Sequence, residues 1–393
     1  MHYNFYSLWH PYCSSIRPSR IQNIGHRTFI RSRVFKSFQM ESDSIKGDEM
    51  RRLTEYLGIK DTIIESDWHL LKSFLWVLFL LMIVVPAIAW ASPDRRQDLF
   101  SVSFPTKDLG WVCGRWGTIM HTSDGGLQWV WQKSGTDFSL TTVRFVNQNI
   151  GWAIGDGGTI LHTRDGGKMW SPQKSPVSYF LMGAYFVDEN TGWIVTEKTT
   201  ILYTSNGGKT WTIQFSGPDY ILKKIHFCDR NNGWAVGEYG YIYHTSNGGK
   251  TWQQQAGGFD ISNETGEIVA GNILFDVFAM NPTTAWVVGI DGYIAQTKNG
   301  GKSWEQFKGV LPGTHLFALK VTSGGTMIVA GDALLMTGTL DGRKFEPAKV
   351  NSPITYGWLY DIAPRGGNAL AAVGGNGWIY LSEGTESSWR RVR

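Results

Sequence analysis

With 393 residues the chain has room for one large domain or two ordinary ones. Its 47 glycines, 19 tryptophans, 15 tyrosines and 20 phenylalanines, against only 18% charged residues, fit many short strands joined by tight turns. Most of the net charge of +4 sits before residue 73: residues 1–72 carry 11 Lys/Arg and 8 Asp/Glu, residues 92–393 carry 26 and 25, and no basic surface for nucleic acid is indicated.

The first 40 residues hold six Lys/Arg and no Asp/Glu, a composition that transit peptides share. Residues 1–72 read as an N-terminal extension, disordered or partly mis-annotated, with Met40 and Met50 as alternative starts. Residues 73–91 read as a transmembrane anchor or a signal-peptide core. The run FLWVLFLLMIVVPAIAWA (74–91) has no charge; Lys72 precedes it, and Asp94, Arg95 and Arg96 follow. As a helix it would rise about 27 Å, enough to cross a bilayer with little tilt. Alternatively, Pro86 ends a shorter apolar core and Ala89-Trp90-Ala91 forms a cleavage site before Ser92. Both readings send the rest of the chain across a membrane, with Arg51, Arg52, Lys60 and Lys72 holding the N-terminal flank in the cytoplasm.

From residue 99 onward the chain repeats itself. The unit GWxVGxxGxIxxTxxGGxxW places its first Trp at 111, 152, 193, 234 and 286 and its last at 129, 170, 211, 252 and 304. Two degenerate copies follow, with Phe345 and Trp389 in the last-Trp position. Each unit supplies four strand signals; in the second they are 140–146, 151–155, 159–163 and a short run from Trp170. Four strands per unit and seven units predict an all-β, seven-bladed propeller of four-stranded antiparallel blades over 99–393, monomeric, with the paired Trp filling the space between blades. All four strands of the first and last units are legible, so no swapped strand is expected to close the ring. Cys13, Cys113 and Cys228 show no metal-ligand spacing and read as buried free thiols.

The turn before each last Trp reads TSDGG (122–126), TRDGG (163–167), TSNGG (204–208 and 245–249) and TKNGG (297–301). Asp or Asn before Gly favours the positive φ of a tight hairpin, and its side chain can accept hydrogen bonds from its own turn. Asp124, Asp165, Asn206, Asn247 and Asn299 are therefore structural turn residues. Asn replaces the acid in three copies, so the position needs an acceptor and not a carboxylic acid. The pattern S/T-x-D/N-G-G-x-T-W resembles the Asp-box, or BNR repeat, of sialidases, in which it is a fold element remote from the active site.

A sialidase also needs an arginine triad, a Tyr nucleophile with its Glu, and an Asp acid/base. The arginines of the repeat region, Arg115, Arg144, Arg164, Arg230, Arg343 and Arg365, are scattered, and GxSxG, HExxH and P-loop patterns are absent. No enzyme, catalytic residue, metal site or cofactor is expected. The copies differ most in the turns between second and third strands, which should share a face with the blade-to-blade connections and with the insertion at 257–272. Variation on one face of a fixed scaffold marks a candidate partner-binding surface, here Arg115, Trp116, Lys198, Glu238, Tyr239, Asp291 and Asp332.

The whole 99–393 region is similar to the photosystem II stability/assembly factor family, on the strength of GWAVG-x-x-G-x-I (234–242), the TSNGGKTW hairpin, the LTTVRFVNQNIGW strand and the count of seven. The resemblance implies a non-catalytic scaffold in the thylakoid lumen or periplasm, tethered or exported. It would bind membrane-complex intermediates, photosystem II reaction-centre subunits in a phototroph, with the membrane contacted through residues 74–91. The family's arginine-rich patch is not evident; Arg115, Lys198, Lys223 and Lys224 are isolated candidates. Two readings compete: a glycan-binding or sialidase-like propeller, and an accessory of an envelope transporter.

Overall fold

The computed structural model describes residues 97–258, 260–261, 268–269, 271–384 and 388–393. The N-terminal extension, the apolar run 74–91 and Cys13 lie outside the described residues. Among those described, no helix is long and apolar enough to cross a membrane.

Seven four-stranded sheets, each an antiparallel meander in chain order, stand around an axis. Their innermost strands are Leu99–Ser103, Leu140–Phe145, Leu181–Phe186, Leu222–Phe227, Leu274–Asn281, Leu316–Val321 and Leu359–Pro364, and they define blades 1 to 7. Every one begins with a buried Leu. The second unit folds as read: Leu140–Phe145, Gly151–Gly155, Ile160–Thr163 and Ser171–Gln173. The insertion after blade 4 closes on itself as a small hairpin, Asp260–Ile261 paired with Ile268–Val269.

Aromatic packing joins the blades, because a four-stranded sheet alone leaves both faces uncovered. The first Trp of one blade stacks on the inner-strand Phe of the next: Trp111 on Phe145 at 3.6 Å, Trp152 on Phe186 at 3.9 Å, Trp193 on Phe227 at 3.8 Å. Each of those Phe rings meets its own blade's last Trp (Trp170, Trp211 or Trp252) edge-on, at 5.8–6.1 Å. Trp111, Trp152, Trp193, Trp234, Trp286 and Trp389 are all under 2% exposed. Burying each such side chain contributes on the order of 3 kcal/mol.

A second tie between blades was not read from the sequence. Three residues after the last Trp of blades 1 to 4 stands a glutamine: Gln132, Gln173, Gln214 and Gln255. Each donates its Nε2 to the first Gly carbonyl of the next blade's Gly-Gly turn, Gly166, Gly207, Gly248 and Gly300, at 2.6–3.1 Å. The second Gly gives the amide room: a Cβ on Gly167 or Gly208 would lie 2.1 or 1.9 Å from the Gln132 or Gln173 Oε1. The Gly pair is thus required by the neighbouring blade as well as by its own turn. Gln173 also accepts from Trp211 Nε1 at 3.0 Å. Gln173→Ala leaves that indole N–H and a buried carbonyl unmatched, and chemical denaturation should show a loss of about 1–3 kcal/mol.

The ring closes between blades 7 and 1 with no exchanged strand; the outer strand of blade 7, Arg390–Arg391, pairs within its own blade. Here the glutamine is replaced. Arg365, 3% exposed, donates to Gly125 O, the carbonyl equivalent to Gly166 O, and pairs with Glu383. Asp98 accepts from Asn376 N at 3.0 Å, and Leu99, Val102 and Met120 pack on Val373, Ile379 and Leu381.

Candidate functional site

The two faces of the ring have different chemistry. On one lie the Gly-Gly turns, each tied to the first hairpin turn of its blade: Gly125 N donates to Asp108 O, Gly166 N to Asn149 O and Gly207 N to Asn190 O, at 2.9–3.0 Å. Their acceptors behave as the sequence indicates. Asp124 and Asp165 take the amides of Gln128 and Met169, and Asn206, Asn247 and Asn299 take those of Thr210, Thr251 and Ser303, all at 2.9–3.0 Å. The backbone amide of Gln128 and the Thr122 hydroxyl hold the Asp124 carboxyl below its usual range. These groups are occupied by their own turns.

The turns between second and third strands lie on the opposite face, each hydrogen-bonded to the residue that precedes the innermost strand: Arg115 N to Asp98 O, Asp156 N to Ser139 O, Glu238 N to Ile221 O, Asp332 N to His315 O. In six blades the middle residue, Trp116, Gly157, Tyr239, Asp291, Ala333 or Asn376, has φ between 52° and 63°. Five of the six are not glycine, although this region suits glycine best.

The seven sequence-predicted residues are spread around this face, in blades 1, 3, 4, 5 and 6. Trp116, Lys198, Asp291 and Asp332 are exposed to solvent. Lys198 lies over the Tyr179 ring at 5.6 Å. The other three are half-buried and help build the turns. Arg115 pairs with Asp98 at 2.7 Å. Glu238 accepts from Ile221 N at 3.3 Å and lies 3.9 Å from Lys223 Nζ. Tyr239 packs edge-on against Tyr220 at 4.9 Å.

Lys223 and Lys224 are not surface candidates. Lys223 is buried over Phe275, and burial brings its ammonium down to about 8, with Glu238 working the other way. Lys224 reaches from blade 4 across the axis to Asp361 of blade 7, at 3.2 Å. Asp361, 2% exposed, also accepts from Ser101 Oγ at 2.9 Å and Val102 N at 3.1 Å, with Arg144 at 3.7 Å. Burial alone would raise its pKa; Lys224, Arg144 and Lys320 outweigh that and bring it to about 2. Asp276 repeats the motif between blades 5 and 6, accepting from Leu319 N at 2.8 Å. Lys320 is brought down to about 8, mainly by burial and the Arg144 charge. Burial and the surrounding cations hold His226 neutral, with its Nδ1 accepting from Ala279 N. The axis is thus crossed by a network of three cations and two carboxylates.

The sequence reading left Arg144 among the scattered arginines and Lys224 among the isolated candidates. The signal was available: counted from the initial Leu, Asp276, Asp361 and Lys224 are third in their strands, and Arg144, His226 and Lys320 are fifth. Among the described residues no group of three or more His, Cys, Asp or Glu could hold a metal ion. Cys113 is buried, with its thiol pushed well up by burial, and Cys228 is half-buried; neither is in a disulfide.

A family model described as "Photosynthesis system II assembly factor YCF48" matches residues 89–176 and 169–261, which together span somewhat under half of the chain. No curated protein matches the chain. Among solved structures, YCF48 bound to a D1 peptide is 19% identical with a TM-score of 0.60, over 73% of this chain and 93% of that one. YCF48 from Cyanidioschyzon merolae is 19% identical with a TM-score of 0.58, over 73% and 95%. A GH74 xyloglucanase from Xanthomonas campestris is 11% identical with a TM-score of 0.59, over 75% of this chain but 54% of that one. At these identities the structures speak for the fold alone; the family match adds the sequence. Two successive stretches of the repeat thus resemble the photosystem II assembly-factor model, and the seven-bladed ring has the fold of the two YCF48 structures.

Proposed function

We propose that this propeller is a non-catalytic scaffold that binds a segment of a photosystem II reaction-centre subunit, or of an equivalent membrane complex, during assembly. The observation that carries the reading is the family match over residues 89–261. The solved neighbour bound to a D1 peptide suggests the kind of ligand: a peptide segment of a reaction-centre subunit. The turn face supplies the surface, with Trp116, Lys198, Asp291 and Asp332 exposed. Asp124, Asp165 and Asp361 are engaged by their own turns or by buried cations, which leaves them unsuited to the acid/base pair of a glycosidase. We place the propeller on the lumenal or periplasmic side, tethered or exported through residues 74–91. The test is a binding titration with a reaction-centre peptide, run beside a glycan hydrolysis assay that would reveal a GH74-like activity instead.

A further inference from the structure

Three exposed aromatic side chains lie on the turn face: Trp116 at 67%, Phe138 at 52% and Tyr356 at 98%. Trp116 sits in the second turn of blade 1. Phe138 covers the matching turn of blade 2, where a Cβ on Gly157 would lie 3.2 Å from its ring. Tyr356 precedes Gly357, whose carbonyl accepts from Ala333 N in the turn of blade 6. Trp131, 46% exposed, shares with Trp116 a cleft of about 450 Å³. The other exposed large apolar side chains, Leu127, Val130, Met169, Ile213 and Met280, are all aliphatic or thioether and lie on Gly-Gly turns, outer strands or, for Met280, the end of an innermost strand.

Trp116 and Tyr356 are disfavoured twice over. Each exposes an aromatic ring to water, and each holds it at positive φ, 54° and 60°. Glycine fills the position of Trp116 in blade 2, so the fold itself does not require the ring. Trp and Tyr are the residues that gather at a lipid–water boundary, where an apolar ring and a polar edge are both satisfied.

The chain enters the propeller on this same face. Gln97, the first described residue, lines the Trp116–Trp131 cleft. Only residues 92–96, with Arg95 and Arg96 among them, separate it in sequence from the uncharged run 74–91. Five extended residues reach about 18 Å at most. We propose that the turn face docks on the lipid–water interface of the membrane, with Trp116, Phe138 and Tyr356 as interfacial anchors and Trp131 beside them. This rests on the reading of residues 74–91 as a membrane segment, and it presents the variable turns to whatever protein emerges from the same bilayer.

All seven blades and the contacts that close the ring come from residues 97–393, so a fragment of residues 93–393 is a folded unit. In a flotation assay that fragment rises with phosphatidylcholine vesicles. The variant Trp116→Gly, Phe138→Ser, Tyr356→Gly loses several-fold in vesicle partitioning while its thermal midpoint holds or rises, since glycine suits both positive-φ sites. A fragment that stays with the soluble fractions, or a variant that floats as well as the parent, overturns the lipid face. The full chain, extracted from membranes with alkaline carbonate, reports separately on residues 74–91. Its release while the fragment still floats would overturn the anchor and leave the lipid face standing. Its retention while the fragment fails to float would overturn the lipid face alone.

Discussion

Replacing Asp361 by Ala should destabilise the propeller by about 3–5 kcal/mol, the usual effect of leaving one side of a buried ion pair alone. The carboxylate neutralises Lys224 and Arg144 and accepts from Ser101 and from the backbone of Val102, so one residue ties blade 7 to blades 1, 2 and 4. Its loss leaves Arg144 of blade 2 and Lys224 of blade 4 without the carboxylate they share and removes a contact that helps join blades 7 and 1. Against a total stability of about 5–15 kcal/mol, the change is large enough to move a urea or guanidinium midpoint plainly. The pH dependence has a definite sign. The folded pKa of about 2 lies below the ordinary 3.8, so the stabilisation is complete above the ordinary value and drains away as pH falls through the interval to about 2. Asp361→Asn should remove this part of the acid limb, and its deficit relative to the parent should narrow over the same window.

Trp193→Ala should cost a similar amount, about 3–5 kcal/mol. The ring is 1% exposed, stacks on Phe227 of blade 4 at 3.8 Å and donates its Nε1 to Gln214 at 3.1 Å. Truncation opens a cavity between two blades and strands the Gln214 acceptor. Trp116→Gly, by contrast, should hold or raise stability. The two residues are equally aromatic; burial and backbone angle separate them. Thermal or denaturant unfolding of both variants beside the parent checks the contrast.

The framework was legible because it repeats. Trp at fixed spacing and Asp/Asn-Gly-Gly turns report constraints that every blade must meet, and the seven sheets follow. The Trp-x-x-Gln tie was missed because its partner, a carbonyl in the next blade, leaves no local trace except the Gly pair that a hairpin turn already explains. The axial network was missed for a related reason. Arg144, Lys224, Lys320, Asp276 and Asp361 sit in strands that look half-polar, and only ring closure brings the Lys224 ammonium of blade 4 within 3.2 Å of the Asp361 carboxylate of blade 7. On the turn face, sequence variation singled out the turns between second and third strands, but it could not separate residues offered to solvent, such as Asp291 and Asp332, from those that build the turn, such as Arg115 and Glu238.

We propose that this ring binds and does not cleave. A peptide from a photosystem II reaction-centre subunit, titrated against residues 93–393 and followed by calorimetry, should bind saturably with one site per propeller. A combined Lys198→Glu, Asp291→Lys, Asp332→Lys variant of unchanged thermal midpoint should weaken that binding, and incubation with xyloglucan should release no sugar. No binding by the parent protein, together with release of oligosaccharide from the glycan, would show an enzyme in place of a scaffold.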